Sequence, residues 1–230
     1  MTERFNRIRA LLGGAAMQKL SESTVMVVGC GAVGSFAIEA LARSGIGQII
    51  LVDFDVVEES NINRQLFALT STVGMPKVDV ADARVRDINP NAITIPLKMF
   101  WDEKSDVAIR PDFVIDAIDT VESKVALYKW CASHHIPFAA SMGAALKMDA
   151  RQIRVGRISK TSVCPLAARV RKMVRDENLP DFPVVYSVES PNKDAATAGR
   201  VFGSIITVTG SFGLRLADIA IKSITGLSDD

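Results

Sequence analysis

The sequence predicts an α/β fold: a Rossmann-like, mostly parallel sheet with helices on both faces and an antiparallel C-terminal extension. Three observations predict it. Short apolar runs alternate with amphipathic stretches through the first 145 residues, an order that builds a parallel sheet covered on both sides. The first run passes directly into Gly29-x-Gly31-x-x-Gly34, a tight turn from strand to helix. Beyond Gly143 charged and apolar residues alternate, the period of a half-exposed strand.

Thr24 to Val28 and Gln48 to Val52 are the first two strands, with a helix from Val33 to Arg43 between them. Lys77 to Ile88 is amphipathic, and Asn89-Pro90 stops it, since a residue before proline is pushed out of the helical region. Phe113 to Ile118 reads as a buried strand followed by Asp119, Val121 to His134 as the next helix and Pro137 to Ser141 as the strand after it. In the extension, Arg151 to Ile158 is a strand and Cys164 to Arg175 a helix. Leu179 to Arg200 holds Pro180, Pro183 and Pro191 and reads as loop, with PNKDAATAGR as its mobile portion. The apolar run Val201 to Leu214 contains three glycines and is followed by Arg215 and Asp218. It falls short of the roughly 20 residues of a membrane helix and reads as a buried one, so no membrane partner is expected.

A chain of 230 residues can bury a substantial core within one domain, and 48% hydrophobic residues exclude disorder. The net charge of +1 would argue against a polyanion partner if it were evenly spread. Between Arg151 and Arg175, however, there are eight basic residues and no acid. Arg154, Arg169, Arg171, Lys172 and Arg175 are therefore candidates for a phosphate backbone, against the plainer reading of basic faces shown to water. The N-terminus MTERFNRIRA lacks the apolar core of a signal peptide. Cys30, Cys131 and Cys164 form no CxxC pair, which argues for a reducing cytoplasm and no structural zinc.

The glycine turn implies that backbone amides approach a phosphorylated nucleotide at a helix N-terminus, where unpaired N–H groups and the helix dipole favour an anion. Gly29, Gly31 and Gly34 are the cofactor-binding candidates, and Asp53, nineteen residues after Gly34, stands where an acid would hold the ribose. The glycine pattern alone serves many nucleotides. Asn61, Asn63, Arg64 and Gln65 after the second strand, and Lys77 at the start of the next helix, narrow it. A dinucleotide dehydrogenase has no obvious need for them, whereas an enzyme that cleaves a triphosphate must neutralise the departing pyrophosphate. Asp119 follows a buried strand at the carboxyl edge of the sheet, where open α/β proteins bind ligands; the alternative is a cap for the following helix.

The run DFDVVEESNINRQ, followed by GMPKVDVADARVRDINP and later FVIDAIDT, resembles the ubiquitin-activating-enzyme-like adenylyltransferases, the superfamily of the molybdopterin and thiamine-pathway enzymes. Within it the chain looks most like the tRNA threonylcarbamoyladenosine dehydratases, from RFNRIRALLG through to the apolar C-terminal segment. The resemblance implies ATP and Mg2+ as cofactors, with Asp119 on the metal and Arg64 and Lys77 on the β- and γ-phosphates. It implies that Asn61 and Gln65 are polar neighbours of the nucleotide, with Asp55 orienting Arg64 or touching the ribose region. Arg7, in RFNRI, matches an arginine that reaches the neighbouring subunit's phosphates, so a homodimer is implied.

The same resemblance divides the single domain into a nucleotide-binding part, residues 1–145, and a substrate-binding and dimerisation extension, residues 146–230. The sulfur-carrier adenylyltransferases commonly carry two CxxC pairs, and their absence here favours the tRNA-modifying branch. The implied activity is ATP-dependent adenylation of the threonyl carboxylate of N6-threonylcarbamoyladenosine-37 in tRNA, followed by cyclising dehydration, with a sulfur-relay protein as a further partner. Two alternatives stay open: adenylation of a sulfur-carrier protein C-terminus, and a nucleotide-binding scaffold without catalysis. Cys164 is a candidate nucleophile, although no histidine lies near it in sequence to activate a thiolate.

Overall fold

Thr24–Val28 forms β1, flanked by β2 (Gln48–Val52) and β4 (Phe113–Asp116), both parallel to it. β3 (Ile93–Leu97) adds beside β2, and β5 (Phe138–Ser141) beside β4, again in parallel. β7 (Pro183–Ser187) runs parallel to β5, and β6 (Ile153–Arg157) closes that side as the one antiparallel member. The strand order is β3-β2-β1-β4-β5-β7-β6. The structure, a computed structural model, describes residues 3–192, 196–197 and 201–227.

The pleat sends successive side chains to opposite faces, so one strand serves two cores. Val25 and Val27 of β1 enter one core with α2 (Gly14–Glu22), α3 (Gly34–Arg43), α4 (Lys77–Ile88) and α7 (Ile206–Thr225). Met26 and Val28 enter the other with α5 (Val121–Ser133), α6 (Pro165–Asp176) and Trp101. Each fully buried Leu or Ile contributes about 1.5–3 kcal/mol, which is why strands this short suffice. A short helix, α1 (Asn6–Leu12), precedes α2.

The apolar C-terminal run is the buried helix expected, shifted to 206–225, and its glycines have a packing role. A Cβ on Gly213 would lie 2.2 Å from the Val33 carbonyl oxygen, and one on Gly210 would lie 3.0 Å from the Phe36 ring. Only glycine lets α7 cross α3 this closely. Among the described residues no helix is long and apolar enough to cross a membrane.

Two expectations need correction, and some elements were not anticipated. Leu179 to Arg200 is not all loop: Pro183 opens β7, whose Val184 and Val185 are fully buried. Proline is tolerated at the first position of a strand, so it did not forbid pairing there. β3 was not anticipated, because an edge strand half open to water and interrupted by Pro96 has little apolar signal. Neither were α1 and α2. β4 stops at Asp116, two residues before Ile118, because the Asp116 carboxylate accepts the Ile118 N–H and turns the chain. The expectation that PNKDAATAGR is mobile falls largely on residues 193–195 and 198–200, which lie outside the described residues.

Candidate active site

The carboxyl ends of β1, β2, β4 and β5 open into a cleft of about 910 Å³, within the size range of ligand pockets. Helices α3, α4 and α5 begin at its rim, and none of the three carries a side-chain cap at its N-terminus. The Lys77 N–H at the start of α4 donates to the Asp55 carbonyl and the Ser35 N–H of α3 to the Gly31 carbonyl; each helix dipole favours negative charge in the cleft.

The glycine turn forms the floor. Gly29 has φ +95°, and a Cβ there would lie 2.6 Å from the Ala117 carbonyl oxygen; one on Gly34 would lie 1.7 Å from the Gly29 oxygen. Those two glycines seat α3 against the sheet. At Gly31 the nearest atom to an added Cβ is the Gln65 amide nitrogen, 3.6 Å away, so this position faces the open cleft. Asp53 is buried, and both of its oxygens are engaged: Oδ2 accepts the Cys30 N–H at 2.7 Å and Oδ1 accepts the Asp55 N–H at 2.9 Å. Burial raises its pKa above the usual carboxylate range, while those two amides and the Lys77 charge pull it down. Asp53 thus ties the glycine turn to the turn after β2.

Lys77 at the first position of α4 is buried, with Nζ 2.8 Å from Oδ2 of the half-exposed Asp55. Arg64 lines the cleft and donates from Nη1 to the Ser60 carbonyl and to Asn63 Oδ1, each at 2.8 Å. Gln65 also lines it. Asn61 does not: its Oδ1 accepts the Glu58 N–H and caps the turn Glu59–Asn61. Asn63 lines the cleft instead and donates to the Ser204 carbonyl. Asp119 lines the cleft as an exposed residue, and the N-cap of α5 is Thr120, not Asp119. Arg7 sits exposed on α1 and does not line the cleft of its own chain. Among the described residues there is no group of three or more His, Cys, Asp or Glu side chains able to hold a metal ion.

One wall escaped sequence reasoning. Phe54 after β2 and Phe100 after β3 meet edge to face, ring centres 5.1 Å apart, with Met99 and Trp101 beside them. The Trp101 indole nitrogen is, among the described residues, the buried side-chain polar atom without a hydrogen-bond partner. The wall depends on β3, whose weak pattern also hid these residues.

The basic segment divides into engaged and exposed cations. Arg171 donates to the Thr161 carbonyl and hydroxyl at 2.7 and 2.6 Å, and Arg154 donates to the Arg151 and Ile153 carbonyls. Arg169, Lys172 and Arg175 recur every third residue on the exposed face of α6, and Leu166 near its start lines the cleft. Cys164, at the N-cap of α6, is buried with Sγ 3.3 Å from where a Gly143 Cβ would stand. Lys147 is a buried lysine whose pKa burial lowers.

The ThiF family profile matches residues 5–230. The tRNA threonylcarbamoyladenosine dehydratase of Bacillus subtilis is 47% identical over 197 residues, covering 83% of this chain and 77% of that protein. The enzyme of that name from Escherichia coli is 39% identical over 254 residues, covering 96% and 93%. The crystal structure of the E. coli tRNA N6-threonylcarbamoyladenosine dehydratase TcdA in complex with ATP superposes with a TM-score of 0.90 at 35% identity, covering 97% of this chain and 94% of that one.

Proposed function

Because the chain belongs to the ThiF family, we propose that it is an ATP-dependent tRNA threonylcarbamoyladenosine dehydratase. The observation that carries this reading is the convergence of Arg64 and Lys77 with open Gly31 and the uncapped start of α3 in one nucleotide-sized cleft. Cations from two separate motifs suit a triphosphate whose pyrophosphate must leave.

The threonyl carboxylate of N6-threonylcarbamoyladenosine-37 attacks the α-phosphorus of ATP in line with the departing pyrophosphate. The bond between the α-phosphorus and its bridging oxygen breaks, and a mixed carboxylic–phosphoric anhydride forms. Arg64 and Lys77 hold the β- and γ-phosphates; Lys77 gives up Asp55 to do so, exchanging a half-exposed partner for a more highly charged one. An atom within the modification then attacks the activated carbonyl, closes a ring and expels AMP. The tRNA loses one water as ATP becomes AMP and pyrophosphate.

Exposed Asp119 at the cleft rim suits Mg2+, which needs few protein ligands beside phosphate and water. When bound there, the metal would supply charge neutralisation on the phosphates. Asp53, in the cleft lining, meets the ribose while it holds the glycine turn; Asp55 orients Lys77 and not Arg64, Gln65 borders the nucleotide, and Asn61 keeps the turn that presents Arg64. Arg7 acts in the partner subunit's cleft, which requires a homodimer. The exposed cations of α6 meet the tRNA backbone, while Arg154 and Arg171 are bonded to carbonyls of the same basic segment. Residues 1–145 bind nucleotide and 146–230 supply substrate and dimer contacts. A cytoplasmic setting and a sulfur-relay protein partner belong to the same proposal and rest on the resemblance.

The test is incubation with ATP, Mg2+ and tRNA carrying threonylcarbamoyladenosine, then mass analysis of the nucleosides. Loss of one water from that nucleoside is expected; its recovery unchanged, with no AMP formed, overturns the reading.

A further inference from the structure

Beneath the cleft lies a charged cluster sealed from water. Asp116 ends β4, Lys124 lies on the first turn of α5 and Tyr128 one turn further along the same helix face, and all three are 0% exposed. Lys124 Nζ donates to Asp116 Oδ2 at 2.8 Å and to the Ser141 carbonyl at the end of β5, also at 2.8 Å. Tyr128 Oη donates to the same Asp116 oxygen at 2.5 Å, and Asp116 Oδ1 accepts the Ile118 N–H at 2.9 Å.

We propose that Lys124 is a positioning residue for the adenylation step, because its ammonium joins the two loops that line the cleft after β4 and after β5. This rests on the function proposed above. One loop, Ala117 to Thr120, carries Asp119; the other runs from Ser141 through Gly143 to Ala145. The link to the first loop passes through Asp116, whose other oxygen holds the Ile118 amide. The link to the second is direct, on the carbonyl where the chain leaves β5.

Stability does not by itself require this arrangement. Taking two charges out of water costs about as much as their attraction returns, and an apolar pair of similar volume commonly stabilises as well. What an apolar pair cannot do is aim. An ammonium with two fixed acceptors sets the separation of two loops, and displacement of reacting groups by about 1 Å costs about 10²-fold in rate.

The test is the double variant Lys124→Met/Asp116→Asn, which removes both charges and strands neither. Steady-state formation of AMP in the presence of the modified tRNA is expected to show kcat about 10²-fold lower, with KM for ATP within about threefold. Hydrogen exchange of the nucleotide-free protein is read in parallel. Protection is expected to fall at 117–120 and 141–145 together while β1 and β2 keep theirs. Unchanged exchange at both loops overturns the proposal whatever the wild-type protein does with tRNA, and so does loosened loops with wild-type kcat. A wild-type protein without turnover whose variant loosens both loops sinks the proposed reaction and with it the positioning role.

Discussion

Lys77 carries two energies of different size, and their comparison says what its loss does. Its bond to Asp55 joins a buried amine to a carboxylate whose side chain is 46% exposed, a pair worth less than about 1 kcal/mol of stability. The contact proposed for it with a departing pyrophosphate is of the kind whose loss costs about 10²–10³ in rate. Lys77→Met is therefore expected to lower kcat for AMP formation by that factor, with the melting temperature shifted by no more than a few degrees. A variant that lost activity by unfolding, seen in calorimetry, would contradict this separation. Asp53 makes the complementary case. Its position was legible from spacing, but the bonds to the Cys30 and Asp55 amides were not, because a backbone turn leaves no mark on residue type.

At the scale of an element, α6 has two faces with different work. Ala167, Val170 and Val174 face the core, and Arg169, Lys172 and Arg175 face water. Three residues of helix rise about 4.5 Å, so three cations recurring at this step can follow successive phosphates. Replacing all three by alanine is expected to weaken tRNA binding and to flatten its dependence on salt by about two in logarithmic slope, with the affinity for ATP unchanged. Filter binding across a salt series measures it. Arg171→Ala is expected to leave that slope alone, because its guanidinium is spent on Thr161.

Elements that dominate their surroundings were plain in the sequence. β1, β2 and α4 fall on their expected bounds, since buried strands and amphipathic helices announce themselves by period. β3 and β7 did not: one is an edge strand broken by Pro96, the other a strand opened by Pro183 after a proline-bearing stretch. Proline weakens the local signal while tertiary pairing decides the outcome.

On the scale of the whole molecule, the cleft is assembled from segments up to about 180 residues apart, from Val28 to Thr209. The polar members were legible because phosphate chemistry restricts residue type, and the aromatic wall was not because core and cleft use the same residues. Arg7 belongs to a scale larger still. If it serves the partner's cleft, a mixture of Arg7→Ala and Lys77→Met subunits forms heterodimers with one intact site. Two nearly inactive proteins, mixed equally and allowed to exchange subunits, are expected to regain about one quarter of wild-type turnover. No recovery after proven exchange would place Arg7 outside the chemistry.

The two indoles of this chain stand edge to face, centres 5.3 Å apart, one in the cleft wall and the other held by Asp106. Trp101 lines the cleft and Trp130 does not, so occupation of the cleft is expected to change the polarity around Trp101 alone. The protein thus contains its own optical gauge: ultraviolet-excited emission will shift as ligand is titrated in, and Trp101→Phe will silence most of that response without any added dye.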